Sequence, residues 1–92
     1  MVRFAWSERK RVQNRARHGL DFVDAPRVFD GPTFTFEDDR FDYAEQRFVT
    51  LGILDGIVVS IVHTETSRVI LIISFRKATT REQAIYFAQV RD

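Results

Sequence analysis

Two arginines in the C-terminal half of the chain stand at the ends of otherwise apolar segments. Arg76 ends a nearly all-apolar run, and Arg47 begins another run just after Glu45. Two guanidinium groups near one end of a sheet can hold a phosphodiester through paired hydrogen bonds. Cleavage of RNA by its own 2′-OH needs a base for that hydroxyl, charge stabilisation at phosphorus and an acid for the leaving oxygen. The pattern permits this chemistry without a metal, with Arg47 and Arg76 as the clamp and Glu45 or His63 as the base.

The same residue types also permit a purely structural interpretation. Arg76 and Glu82 are plausible salt-bridge partners across a strand-to-helix turn. His63 lies in a strand beside Phe48, where a histidine is commonly a half-buried structural residue. His18 ends a helix, where a positive charge complements the helix dipole. Residue types and spacing alone leave both interpretations open.

Composition excludes several classes of site. The chain has 92 residues and no cysteine, which allows one domain over 1–92 and excludes a disulfide framework or a Cys-ligated metal. No apolar run reaches the ~18 residues that a membrane span needs. The acidic run 37–39 lacks the glycine-containing loop geometry of a Ca²⁺ site. We therefore expect a cytoplasmic α+β domain with no metal and no cofactor.

Charge is unevenly distributed along the chain. Six bases and one acid give residues 1–18 a charge of +5, whereas eight acids and two bases give residues 19–46 a charge of −6. Residues 47–92 carry six bases and four acids, or +2. The basic ends would suit a polyanion and the acidic middle would not. A net charge of +1 is weak evidence for nucleic-acid binding.

The N-terminal third predicts a strand over 2–6 and a helix over 8–18, since a serine precedes the helix and a glycine follows it. The apolar stripe of this helix is narrow, with only a valine and an alanine at positions 12 and 16. A second short helix then ends near position 29. Its N-cap is either Asp21 or Asp24, and Pro26 is tolerated in its first turn only under the second choice.

The rest of the chain predicts an antiparallel sheet followed by a helix. Segments with strand character cover 33–36, 46–54, 57–64 and 68–76. Thr79 and Glu82 form a capping box that opens a helix over 80–90. Ala84, Ile85, Phe87 and Ala88 make its apolar side. The fold class is therefore α+β: an antiparallel sheet with two N-terminal helices and a C-terminal helix, packed mainly on one face.

The hairpin turn Asp55-Gly56 determines the register of two strands, because a tight turn there pairs Phe48 with His63. The third strand has two possible registers. A two-residue turn after Thr64 separates Arg76 from Arg47, and a three-residue turn over 65–67 gathers polar residues on one face: Arg47, Ser60, Ser74 and Arg76. We favour the second, because it leaves a continuous apolar core face: Val59, Ile61, Val69, Leu71, Ile73 and Phe75.

An ordered set of motifs over most of the chain resembles the BrnT toxin family of bacterial type II toxin–antitoxin systems. The N-terminal motifs are Phe4-Ala5-Trp6, Asn14, Arg17-His18-Gly19-Leu20, Phe22, Ala25, Val28-Phe29 and Pro32. The central motifs are Glu45-Gln46-Arg47 and Gly52. The C-terminal motifs are His63-Thr64-Glu65, the run from Ile72 to Thr79, Glu82 and Tyr86.

The resemblance implies a RelE-like fold and a ribonuclease that arrests growth by cutting RNA. It also implies a BrnA-type antitoxin, a heterotetrameric complex with it, and operon DNA contacted only through the antitoxin. Catalytic roles would fall on Glu45, Arg47, Arg76 and His63. RNA-binding roles would fall on His18 and Lys77.

Four positions depart from the family pattern. Ser7 stands where the family usually has Asp, and Arg17 stands for a common Lys. Thr66 and Leu71 replace arginines that are frequent in the family. The last two changes remove basic groups from the expected RNA side. A catalytically weak module that binds its partner in operon autorepression, or a small RNA-binding domain, is therefore the alternative.

Overall fold

The computed structural model describes residues 2–40, 42 and 44–90. Its elements follow one another in the order β1 (Arg3–Ala5), α1 (Glu8–His18), a 3₁₀ turn (Phe22–Asp24), α2 (Ala25–Phe29), β2 (Phe34–Glu37), β3 (Phe48–Leu54), β4 (Ile57–Glu65), β5 (Val69–Lys77) and α3 (Thr80–Val90). The predicted α+β class and element order are confirmed. None of the described helices is long and apolar enough to cross a membrane.

The two candidate caps of the second helix are both used. The Asp21 side chain accepts a hydrogen bond from the Val23 N–H at 3.2 Å and opens the 3₁₀ turn. Asp24 then stands at the N-cap of α2, which leaves Pro26 in the first turn of that helix. A proline is tolerated there because its missing N–H would have no partner within the helix.

The five strands form one sheet in the order β1-β5-β4-β3-β2. The β3–β4 hairpin has the predicted register, with Phe48 opposite His63. Asp55 and Gly56 have φ values of 51° and 82°, as a type I′ turn requires. Only β1 departs from the antiparallel pattern, because among the described strands it alone pairs in parallel, along the outer edge of β5.

A β-bulge divides the β4–β5 pairing into two registers. Ser60 lies opposite Arg76 and Val62 opposite Ser74, whereas His63 lies opposite Ile72, so Ile73 is the extra residue. The predicted shared face of Ser60, Ser74 and Arg76 is confirmed.

The predicted three-residue turn over 65–67 is wrong, because Glu65 pairs with Ile70 and the Thr66 N–H bonds to the Val69 carbonyl at 2.8 Å. The predicted core face is therefore wrong before the bulge. Ile70 and Ile72 are buried there, while the Leu71 residue is 39% exposed.

Helices cover both faces of the sheet, so the prediction of helices mainly on one face is wrong. The 3₁₀ turn and α2 bury Phe22, Ala25 and Val28 on one face, with α1 along the β5 edge. On the other face α3 packs through Ile85, Tyr86 and Val90, while Phe87 is 52% exposed. The central strands carry nearly continuous apolar runs, which is typical of strands buried on both faces.

Candidate active site

Arg76 is fixed at the junction of β5 and α3. Its guanidinium donates to both carboxylate oxygens of Glu82, at 2.8 and 3.0 Å. Glu82 also accepts from the Thr79 N–H at 2.8 Å, and the Thr79 hydroxyl accepts from the Glu82 N–H at 3.1 Å. The predicted salt bridge and capping box are both confirmed. Since the Arg76 side chain remains 29% exposed, this pair orients a guanidinium that solvent can still reach.

Glu82 keeps its negative charge at neutral pH. Burial acts to raise the pKa of its carboxyl, but the hydrogen bonds from Arg76 and Thr79 outweigh that effect and hold the pKa below its ordinary value. The carboxylate is thus a permanent partner that holds the Arg76 fork in one orientation.

Arg47 lies on the same side of the sheet as Arg76 but not beside it. It continues the alternation of β3 by one residue, and the Asp38 N–H bonds to its carbonyl at 2.8 Å. Leu51 of β3 lies opposite Ser60 of β4, which lies opposite Arg76 of β5. Arg47 is four residues before Leu51 in the chain. Strand geometry therefore separates the two Cα atoms by roughly 13 Å along the strands and about 10 Å across them. The predicted common side is confirmed, but this geometry does not direct both side chains at one phosphate.

Glu45 and His63, the two candidate bases, lie in different surroundings. The Glu45 carboxylate is exposed, 3.8 Å from the Arg47 guanidinium. His63 is 1% exposed on the opposite face of the sheet. Its Nε2 lies 2.7 Å from the Thr50 hydroxyl, and its ring stacks on Phe48. Burial lowers the pKa of His63. The structure thus separates His63 from both arginines and gives a substrate no route to it.

Helix α1 is attached to the edge of β5 by one buried side chain. The Asn14 amide donates to the Phe75 carbonyl at 2.8 Å and to the Leu20 carbonyl at 3.1 Å, and its oxygen accepts from the Phe75 N–H at 3.0 Å. Asn14 thereby continues the hydrogen bonding of the β5 edge beyond the end of β1. Its bonds fix the position of α1 along β5.

This attachment brings His18 close to Arg76. His18 is four residues after Asn14, so it lies on the same helix face about 6 Å further along the axis. Asn14 is bonded to Phe75, the residue immediately before Arg76. The pKa of His18 is lowered, first by burial and then by the positive charges of Arg17 and Arg76. The imidazole is therefore neutral at neutral pH and can accept a proton.

A groove of about 770 Å³ lies between α1 and β5, and His18 is one of its lining residues. We call it the basic groove; its described lining residues are Lys10, Gln13, Asn14, Ala16, Arg17, His18, Ile73 and Ser74. None of these carries a carboxylate. Lys77, the other predicted RNA-binding residue, is exposed, and strand alternation directs its side chain to the face opposite that of Arg76.

A second groove, of about 470 Å³, lies between the end of β2 and the segment before β3. We call it the acidic groove; its described lining residues are Glu37, Asp38, Asp39, Arg40, Asp42, Ala44, Glu45, Gln46 and Arg47. Five of them are carboxylates, although among the described residues no cluster of three potential ligands is arranged to hold a metal ion. Phe41 and Tyr43, in the acidic part of the chain over 19–46, lie outside the described residues.

Comparison with known families decides the class of the protein. A family model described as the ribonuclease toxin BrnT of type II toxin–antitoxin systems matches residues 6–82. The chain belongs to this family. The predicted recognition is confirmed, and with it the general assignment to ribonuclease toxins that have an antitoxin partner. No curated protein matches the chain.

Sequence reasoning missed the residue that builds the basic groove of this BrnT-family chain. It predicted that α1 packs through Val12 and Ala16, but the Val12 residue is 61% exposed and Asn14 is buried. The inward positions are Arg11, Asn14 and His18, which recur at helical spacing. Arg11 bonds to both oxygens of Asp21, at 2.8 and 3.1 Å. A polar helix held by hydrogen bonds has no apolar stripe, so only the spacing of these polar residues could have revealed it.

Proposed function

We propose that this chain is a metal-independent endoribonuclease toxin whose reaction centre lies at the His18 end of the basic groove. The family match supports the ribonuclease class. The observation that supports the site is the attachment of α1 to β5 through Asn14, which brings a neutral imidazole within electrostatic range of an oriented guanidinium. Arg47 and Glu45 lie among carboxylates, which repel a polyanion, so we assign them no part in the bond-breaking step.

The proposed reaction is attack of a ribose 2′-oxygen on the adjacent phosphorus. The neutral His18 ring takes the proton of the 2′-OH, and the new O–P bond displaces the 5′-oxygen, which takes a proton from solvent. The products are a 2′,3′-cyclic phosphate and a free 5′-hydroxyl. Arg76 stabilises the charge that develops on the phosphoryl oxygens, and such a preorganised donor has its largest effect in the transition state. Lys77 lies on the opposite face of the sheet, so we assign it no contact with the reacting phosphate.

The antitoxin would approach through the acidic groove. We infer a BrnA-type antitoxin that presents a basic segment to the acidic groove, because five carboxylates give that groove the complementary charge. A cytoplasmic heterotetramer, with DNA contacted only by the antitoxin, would follow from the family resemblance. In this arrangement inhibition does not require the antitoxin to imitate RNA.

The test is cleavage of end-labelled single-stranded RNA by the purified protein in EDTA. We expect cleavage that leaves 2′,3′-cyclic phosphate ends, loss of cleavage at 2′-deoxy positions and inhibition by the product of the adjacent antitoxin gene. His18→Ala should lose most activity, whereas Arg27→Ala, which removes an exposed arginine far from the groove, should not. Full activity of His18→Ala, or activity that requires added Mg²⁺, would contradict the proposal.

A further inference from the structure

The basic groove is lined by several residues that have no role in the proposed reaction. Its floor includes two consecutive residues of β5, Ile73 and Ser74. In a regular strand, consecutive side chains point to opposite faces. The bulge leaves Ile73 without a partner on β4 and redirects it, so both residues line the groove. Bulges that redirect side chains in this way are common beside functional sites.

We propose that the basic groove binds the base of the nucleotide next to the cleaved bond and that the Gln13 amide hydrogen-bonds to the edge of that base. This inference rests on the proposed function, since it extends the same site. A volume of about 770 Å³ lies within the ~300–1,000 Å³ typical of small-ligand sites. Because His18 is one of the lining residues, a base seated in the groove would bring its own ribose and phosphate close to the reaction centre.

The chemistry of the lining fits a nucleotide. Ile73 and Ala16 offer apolar surface to the flat side of a base, and single-stranded RNA is typically recognised with its bases unstacked in this way. Lys10 and Arg17 are exposed at the groove and can pair with backbone phosphates. The lack of carboxylates among the described lining residues removes the main source of repulsion for RNA.

Gln13 is the side chain placed to hydrogen-bond to a base. The Asn14 amide is fully engaged with Phe75 and Leu20, whereas the Gln13 amide is exposed at the groove. A glutamine amide offers a donor and an acceptor side by side. Each of the four bases presents a donor next to an acceptor on one edge, so this contact favours a base of any identity over a sugar that carries no base.

Binding can be tested without cleavage. The probes are 2′-O-methyl tetranucleotides of A, C, G and U, which lack the attacking hydroxyl. We expect each of the four oligomers to bind about tenfold more tightly than an abasic tetranucleotide with the same backbone. They should also shift the NMR signals of the Gln13 side-chain amide and the Ile73 methyl groups. Perturbation confined to other surfaces would overturn the proposal.

The matched variants are Gln13→Ala and Gln89→Ala; both residues are exposed helix glutamines, but Gln89 is on α3 outside the groove. Gln13→Ala should weaken binding of the four oligomers and leave binding of the abasic tetranucleotide unchanged, whereas Gln89→Ala should change neither. Unchanged affinity for the four oligomers in Gln13→Ala would refute the role of Gln13. If the oligomers bind in the groove but RNA is not cleaved, the subsite stands and the proposed reaction fails. If RNA is cleaved but the oligomers cause no NMR shift in the groove residues, the proposed reaction stands and the subsite fails.

Discussion

Arg76 and Arg47 lie on the same side of the sheet, but the charges around them differ. Arg76 lies near Arg17 and His18, two lining residues of the basic groove. On its other side Arg76 lines a small cavity of about 160 Å³ together with four carboxylates: Glu37, Asp38, Asp39 and Glu82. Arg47 stands in the acidic groove, which is lined by five carboxylates. A polyanion is therefore attracted to Arg76 from the side of the basic groove and repelled from the side of the acidic groove. The comparison teaches that an arginine at a strand end indicates a phosphate site only when at least one neighbouring element supplies the same sign of charge.

The two grooves also differ in how their arginines are held. Glu82 binds Arg76 with both oxygens and is itself held by the α3 capping box. The Arg47 guanidinium lies 3.8 Å from an exposed Glu45, in a segment outside the regular strands. A preorganised donor contributes more to a transition state than one that must first be ordered. Orientation and field thus favour the same arginine.

The largest expected effect is a difference in cleavage rate between variants of the two arginines. Arg76→Ala should lower the rate of RNA cleavage by about 10²–10³, as removal of one preorganised transition-state donor typically does. Arg47→Ala should change the rate by less than about fivefold, because the acidic groove does not hold the reacting phosphate. Both variants are compared by single-turnover cleavage, with thermal unfolding as the control for folding. Equal losses in the two variants would show that the field around each arginine is irrelevant.

The next largest effect concerns the wall of the basic groove. Asn14→Leu should reduce the free energy of unfolding by about 3 kcal/mol, because the buried N–H and carbonyl of Phe75 lose their partners. Gln13→Leu, at the exposed neighbouring position, should change it by less than about 0.5 kcal/mol. Chemical denaturation measures both. A cost for Asn14→Leu no larger than that of the control would mean that α1 is held to β5 by other contacts.

These two grooves also show how far the sequence alone could lead. The element order, the Asp55-Gly56 hairpin and the pairing of Arg76 with Glu82 all depend on local signals, and all were predictable. The bulge at Ile73 was not predictable, since an all-apolar strand reads the same in either register. Without the bulge, the sequence predicted Ile73 instead of Ile72 in the core, and the basic groove was not predicted.

The position of α1 on the sheet also could not be predicted from the sequence. Its apolar pair, Val12 and Ala16, indicated the wrong face, because Asn14 binds backbone groups 61 residues away in the chain. No local rule anticipates such a contact. The pairing of Arg76 with Glu82 could therefore be predicted from the sequence, while the proximity of His18 to Arg76 required the fold.

A smaller effect is expected in RNA affinity. Replacing both Lys10 and Arg17 by Gln should weaken binding of a 2′-O-methyl tetranucleotide by roughly tenfold, and should flatten its salt dependence by about 0.7 per lost phosphate contact. Asp39→Asn, in the acidic groove, should leave affinity unchanged or slightly raised. Fluorescence anisotropy at several salt concentrations measures both quantities. Loss of affinity in Asp39→Asn instead would move the RNA to the acidic groove.

The smallest effect, and the most direct measure of the field, is the pKa of His18. The wild-type pKa should lie below the ordinary value of 6.5, because burial and then the charges of Arg17 and Arg76 disfavour the imidazolium. Arg17→Gln and Arg76→Gln each remove one of these charges, so each should raise the pKa, whereas Arg47→Gln should not. NMR titration of the ring protons measures the value in each variant.

The same shift should appear in the pH profile of cleavage. A neutral imidazole is the active form of the base. The cleavage rate therefore reaches its maximum above the His18 pKa and falls as the pH drops through that pKa. Because the surrounding charges lower that pKa, the wild-type enzyme retains activity to a lower pH than Arg17→Gln, whose acid limb should move upward. A profile unchanged in Arg17→Gln, alongside a shifted NMR titration, would mean that His18 senses the basic groove without acting as the base.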